Sequence, residues 1–161
     1  MGLSGSILPS KPMASVDPVQ FSFSGDSRNT LDTKNRISVP SKWDVPEETA
    51  FKVMPHPEHQ CLVVMPPSEF TRFRDNAIVA LPLERQANFL RLLGSRVETL
   101  KTDKQGRLSL GEKLCDKAGL SGEVKIIGCT ERFEIWNPKA WDAFEASQEA
   151  IFKEAAISVG L

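Results

Sequence analysis

Two segments of the chain place an aspartate four positions before an arginine: Asp32 with Arg36, and Asp103 with Arg107. An aspartate opening a turn caps backbone N–H groups and can hold the arginine across it. Asp32 and Asp103 are therefore read as turn-orienting residues. An arginine held this way presents a planar fork that suits phosphate or the edge of a guanine. Lys34 and Lys104 lie in the same turns, and the stretch from Arg96 to Arg107 sets four cations (Arg96, Lys101, Lys104, Arg107) against two acids (Glu98, Asp103). Arg36 and Arg107 therefore head a basic, structurally defined turn region, with Lys34, Lys104, Arg96 and Lys101 as its further cations.

Other chemistry finds less support. His56, His59 and Cys61 in PHPEHQC have the look of metal ligands, but no fourth ligand follows at a regular spacing. No metal or cofactor is expected. Only two histidines are present, with no nucleophile elbow and no glycine-rich phosphate loop, so neither an enzyme nor a small-molecule substrate is expected. Cys61, Cys115 and Cys129 are odd in number and widely spaced, which fits a reducing cytoplasm better than a disulfide framework. Cys115 and Cys129 fall in helix and strand patterns and read as small buried hydrophobes. Trp136 and Trp141 read as packing residues.

The elements that must position these groups come from an internal repeat. A shift of 71 residues brings Asp32 onto Asp103, Arg36 onto Arg107, Ser38 onto Ser109 and Pro67 onto Pro138, and keeps apolar class at Ile37/Leu108 and Val64/Ile135. Each copy is about fifty residues long, too small to bury much surface alone, so the two are expected to pack as a pseudo-dimer sharing one core. The expected boundaries are a first repeat over 21–75, a linking helix over 76–93, a second repeat over 94–145 and a C-terminal helical extension over 146–161. Residues 1–20, with three prolines and neither a basic nor an apolar leader region, read as a disordered tail.

Within a copy the pattern is strand, turn, strand, short helix, two strands, helix. Leu108 and Leu110 alternate with Arg107 and Ser109, as Ile37 and Val39 do with Arg36 and Ser38, which turns both arginines away from the core. Gly106 suits the positive φ of a tight turn, and Asn35 is the next best residue there. Gly119 marks the end of the helix GEKLCDKA, and Asn137-Pro138 opens another with Trp141, Phe144, Ile151, Phe152 and Ala155 on one stripe. Leu83–Leu93 reads as a linking helix stopped by Gly94.

The chain has 161 residues, 20 lysines and arginines against 21 acids, and no run of ~20 apolar residues for a membrane span. The net charge of −1 conceals an uneven distribution, since residues 139–154 carry Lys139 and Lys153 against Asp142, Glu145, Glu149 and Glu154.

The segments LDTKNRISVP (31–40), TDKQGRLSL (102–110), AGL (118–120) and GCTERFEIWNPKAWDAF (128–144) resemble the MraZ family of bacterial transcriptional regulators. The likeness runs in order over about 21–145, with Asn35 at the usual glycine of the first turn and Gly111 where proline is common. It implies an α+β, β-rich fold of two tandem AbrB-like swapped-hairpin repeats, forming a pseudo-dimeric β-barrel core with flanking helices. It also implies a cytoplasmic, nucleoid-associated repressor. Such a protein would form a homo-oligomeric ring on direct repeats of double-stranded DNA upstream of its own division and cell-wall operon. The DNA-contacting arginine of the family's turn carries over onto Arg36 and, through the repeat, Arg107, and Lys34 holds the family's usual lysine position; Lys104, Arg96 and Lys101 are the accessory candidates for DNA contact. An alternative from another class is a ring-forming interaction scaffold with weak or lost DNA binding.

Overall fold

The computed structural model describes residues 21–161, so the tail expected over 1–20 lies outside the described residues. The strands are β1 (Asp26–Thr30), β2 (Arg36–Ser38), β3 (Ala50–Pro55), β4 (Cys61–Met65), β5 (Glu98–Lys101), β6 (Arg107–Ser109), β7 (Glu123–Gly128) and β8 (Phe133–Trp136). The helices are α1 (Pro67–Ala80), α2 (Leu83–Arg96), α3 (Gly111–Ala118) and α4 (Pro138–Ser158), with a 3-10 turn at Ser41–Trp43. Local chemistry sets several boundaries. Asn137 caps α4 by accepting the Ala140 N–H at 3.0 Å, and Gly119 ends α3 in the left-handed region at φ 68°.

Six strands form one antiparallel sheet in the order β1-β7-β8-β4-β3-β5, while β2 and β6 pair as a separate two-stranded ribbon. The strands on either side of each turn do not zip together as a hairpin. β1 pairs with β7 and β5 with β3, so each leads to a partner from the other half of the chain. In the ribbon Ile37 stands opposite Leu108, and at the centre of the large sheet Val63 stands opposite Glu134. Both pairs are 71 residues apart. An approximate twofold axis therefore passes through the middle of the ribbon and the middle of the sheet.

Among the described residues the closed β-barrel does not form: β1 and β5 end the large sheet as its edges, and β2 and β6, three residues each, pair with one another instead of bridging those edges.

The apolar faces of ribbon and sheet meet in one core. Ile37 and Leu108 pack with Phe23, Phe51, Val124, Phe133 and Ile135, all at most 1% exposed. Tilted and edge-on ring contacts of 5.0–5.6 Å, such as Phe23 on Trp43 and Phe51 on Phe133, fill its centre. On the other face of the sheet, α1 and α2 cover Val63 and Met65, while Trp141 and Phe144 of α4 cover Trp136, Cys61 and Ile127. Both tryptophans thus pack as expected.

Two helical expectations are corrected. α2 continues through Gly94 to Arg96 and stops only where Val97 turns extended into β5, because Leu93 anchors the last turn in the apolar layer. A glycine is tolerated in a helix held by such burial. The α4 stripe is packed only as far as Phe144, and Ile151 and Phe152 remain 59% and 68% exposed.

Candidate nucleic-acid interface

Each turn is built around its aspartate. Asp32 Oδ1 accepts the backbone N–H groups of Lys34 and Arg36 at 2.8 and 2.9 Å, and Oδ2 accepts Arg36 Nε at 2.6 Å. Asp103 repeats the pattern with the N–H groups of Gln105 and Arg107, both at 2.9 Å, and with Arg107 Nε at 2.8 Å. The fourth residue of each turn sits in the left-handed region, Asn35 at φ 57° and Gly106 at φ 78°. With asparagine there, the aspartate of the first turn accepts the same set of hydrogen bonds as that of the second.

The electrostatics follow from these bonds. The Arg36 N–H it accepts, more than any other group, holds the Asp32 carboxyl down to about 2, against partial desolvation, and the Arg36 guanidinium adds to the effect. Asp103 is lowered in the same way, led by the Arg107 N–H. Both aspartates are thus fixed as acceptors near neutral pH. Each engages its arginine through Nε, and among the described residues no side chain takes the terminal nitrogens of Arg36. Arg107 differs in that its Nη2 also donates to Gln105 Oε1 at 3.2 Å.

The two turns are laced to each other. Val39 N–H donates to Gly106 O and Leu110 N–H to Asn35 O, both at 2.9 Å. Arg36 faces Ser109 and Arg107 faces Ser38 across the ribbon, and with Ile37 and Leu108 buried beneath, all four side chains lie on its outer face. The arginines are diagonal neighbours, with Cα atoms about 7–8 Å apart by ordinary sheet geometry. Two guanidinium groups from distant parts of the chain thus share one outward surface.

The accessory cations divide. Lys34 and Lys104 are exposed on the turns, and Lys101 is exposed at the end of β5 that leads into the second turn. Arg96 lies at the opposite end of β5, beside Met54 and His56, and is not brought to the ribbon. Gln105, as acceptor for Arg107, and Asn29, whose Nδ2 donates to Ser38 O at 2.8 Å, belong to the neighbourhood without having been singled out from sequence. Gln105 carried one signal, its place beside Arg107 in a repeated turn.

The histidine loop uses its side chains internally. His56 Nδ1 accepts the N–H groups of Glu58 and His59 at 3.0 and 3.2 Å, and burial lowers the basicity of the ring. His59 stacks on Trp136 with centroids 5.2 Å apart. Burial also pushes the Cys61 and Cys115 thiols up, and Cys129, only half-buried, is pushed up to about 12.

The family model described as "MraZ protein, putative antitoxin-like" matches residues 96–158. The transcriptional regulator MraZ of Natranaerobius thermophilus is 35% identical over 136 residues, covering 83% of this chain and 94% of that protein. The regulators of the same name from Micrococcus luteus and Polaromonas sp. are 34% and 35% identical, covering 82% and 78% of this chain and 92% and 89% of theirs. With its paired Asp-Arg turns and this similarity over most of its length, the chain belongs to the MraZ family of transcriptional regulators.

Proposed function

We propose that the chain binds double-stranded DNA through the outer face of the β2/β6 ribbon, with Arg36 and Arg107 as the principal contacts. The observation that carries this is the arrangement of two aspartate-anchored arginines on one exposed ribbon face. The DNA major groove, about 12 Å wide, admits a two-stranded β-ribbon, and an arginine there reads guanine or holds phosphate in a bidentate way. Lys34, Lys104 and Lys101 supply further phosphate contacts from the turns and the neighbouring strand end. Arg96 lies outside this surface.

One ribbon offers few contacts, so a single chain binds weakly. A homo-oligomeric ring presents several ribbons at fixed spacing, and direct repeats in the operator engage them together, which multiplies affinity through effective concentration. The site of action is then nucleoid DNA upstream of the protein's own division and cell-wall operon, which it represses. Exchange of β1 and β5 between the two halves supports tandem AbrB-like swapped-hairpin repeats as the fold. A gel-shift series on that upstream DNA tests the reading. Retarded, stepwise complexes at low salt support it, and no complex from an assembled ring points to a scaffold without DNA binding.

A further inference from the structure

The two turns of the ribbon share an aspartate and an arginine but differ in the residues between. The 71-residue shift sets Lys34 against Gln105 and Thr33 against Lys104, so the single lysine of each turn stands at a different place. The consequence falls on the arginines. Gln105 Oε1 accepts from Arg107 Nη2 at 3.2 Å while Asp103 Oδ2 accepts from Arg107 Nε at 2.8 Å, and two acceptors fix the plane of that guanidinium. Lys34 holds the equivalent place in the first turn and, carrying donors only, can accept nothing from Arg36. Arg36 is therefore held at Nε alone among the described residues, with a second cation in its turn.

The ribbon is braced unequally as well. Half-buried Asn29 in β1 donates from Nδ2 to Ser38 O at 2.8 Å, and Ser38 is the residue opposite Arg107. The next residue, Val39, donates its N–H to Gly106 O in the second turn at 2.9 Å. Leu100 is the 71-residue counterpart of Asn29 and has no side-chain donor to offer Ser109, the residue opposite Arg36. The large sheet thus steadies the Arg107 end of the ribbon through a side chain that has no equivalent at the Arg36 end.

Reading a base and holding a phosphate ask different things of an arginine. Guanine presents O6 and N7 at one place in the groove, so a fork already fixed in its plane loses less freedom on binding there. Phosphate oxygens run along the whole backbone and reward charge more than orientation. Arg107 keeps enough free N–H donors for both guanine acceptors. We infer that the turns divide the work: Arg107, clasped by Gln105, reads a guanine, and Arg36 with Lys34 holds backbone phosphate. Gln105 is then a positioning residue that sets sequence preference through Arg107. The inference rests on the ribbon face being the DNA-binding surface and assigns roles within it.

The test uses the full chain and two labelled duplexes, the upstream DNA and the same DNA made with 7-deazaguanine, which lacks the N7 acceptor. Gln105→Lys gives the second turn the lysine of the first, and Lys34→Ala removes that lysine, both at exposed positions. Each variant is first checked for wild-type mass by light scattering, and affinities are read by anisotropy. The wild type is expected to prefer the natural duplex by about tenfold. Gln105→Lys is expected to bring that ratio close to one while binding the 7-deazaguanine duplex at least as tightly as the wild type does. Lys34→Ala is expected to weaken binding to both duplexes alike, with a log-log salt slope shallower by about 0.9. A ratio unchanged in Gln105→Lys overturns the role of Gln105, and a ratio lost in Lys34→Ala overturns the division between the turns. A wild type indifferent to 7-deazaguanine overturns base reading by Arg107. Failure of the ribbon itself looks different, because the Arg36→Ala, Arg107→Ala double variant then binds both duplexes as the wild type does.

Discussion

Arg36 and Arg107, 71 residues apart in the chain, lie diagonally across a ribbon only three residues long, each tied through Nε to the aspartate that opens its own turn. The strands leading into these turns belong to opposite edges of the large sheet. Two remote segments are thereby locked into one surface, and displacing either turn breaks bonds to the other through Val39 and Leu110.

The depressed Asp32 carboxyl has a consequence for stability. Its value of about 2 lies below the ordinary 3.8, so ionised Asp32 favours the folded state above that ordinary value, and the benefit is lost as pH falls through about 2. Asp103 acts in the same direction. Melting curves recorded across that window should fall more steeply for the wild type than for Asp32→Ala. Parallel curves would show that the carboxylate is not engaged in solution.

Gly106 is a backbone requirement without a packing one. Its φ is 78°, and an added Cβ would meet nothing within 4 Å. Gly106→Ala should cost about 1–2 kcal/mol through conformation alone, lowering Tm by roughly 2–4 °C for each kcal/mol in a chain of this size. Gly106→Asn should recover most of that, since Asn35 holds the equivalent place at φ 57°. Calorimetry giving equal losses for both substitutions would contradict the role assigned to Asn35.

The thiols should be slow to react. Burial raises Cys61 and Cys115, and Cys129 is held near 12, so little thiolate exists at pH 8 in the folded protein. Labelling with a thiol-specific reagent should wait on unfolding by urea. Rapid labelling of Cys129 in buffer would mean that the β7–β8 turn opens readily.

Much of this design was legible in the residues. The alternation around Ile37 and Leu108 fixed which way the arginines point, and Asn137, Gly119 and Asn35 marked a cap, a stop and a turn by local chemistry alone. Strand partners were not legible, because alternation assigns a face and never a neighbour, so the pairing of β1 with β7 and the places of β1 and β5 at the ends of the sheet follow only from the fold. Gly94 misled because burial of Leu93 outweighs the weak preference of a glycine. The Ile151 and Phe152 stripe was visible in sequence, yet periodicity cannot say whether an apolar face meets its own chain or another. Arg96 counted as part of a basic run, but β5 carries it to the far end of the strand from the ribbon.

The most direct test is fluorescence anisotropy of labelled upstream DNA across a salt series, comparing the wild type with the Arg36→Ala, Arg107→Ala double variant, both checked for intact assembly. Wild-type affinity should fall steeply and linearly in log salt, by a factor that grows with each phosphate neutralised. The double variant should bind at least a hundredfold more weakly, with a shallower slope. Equal affinity and equal slope in the two proteins would contradict the assignment of the ribbon face as the DNA-binding surface.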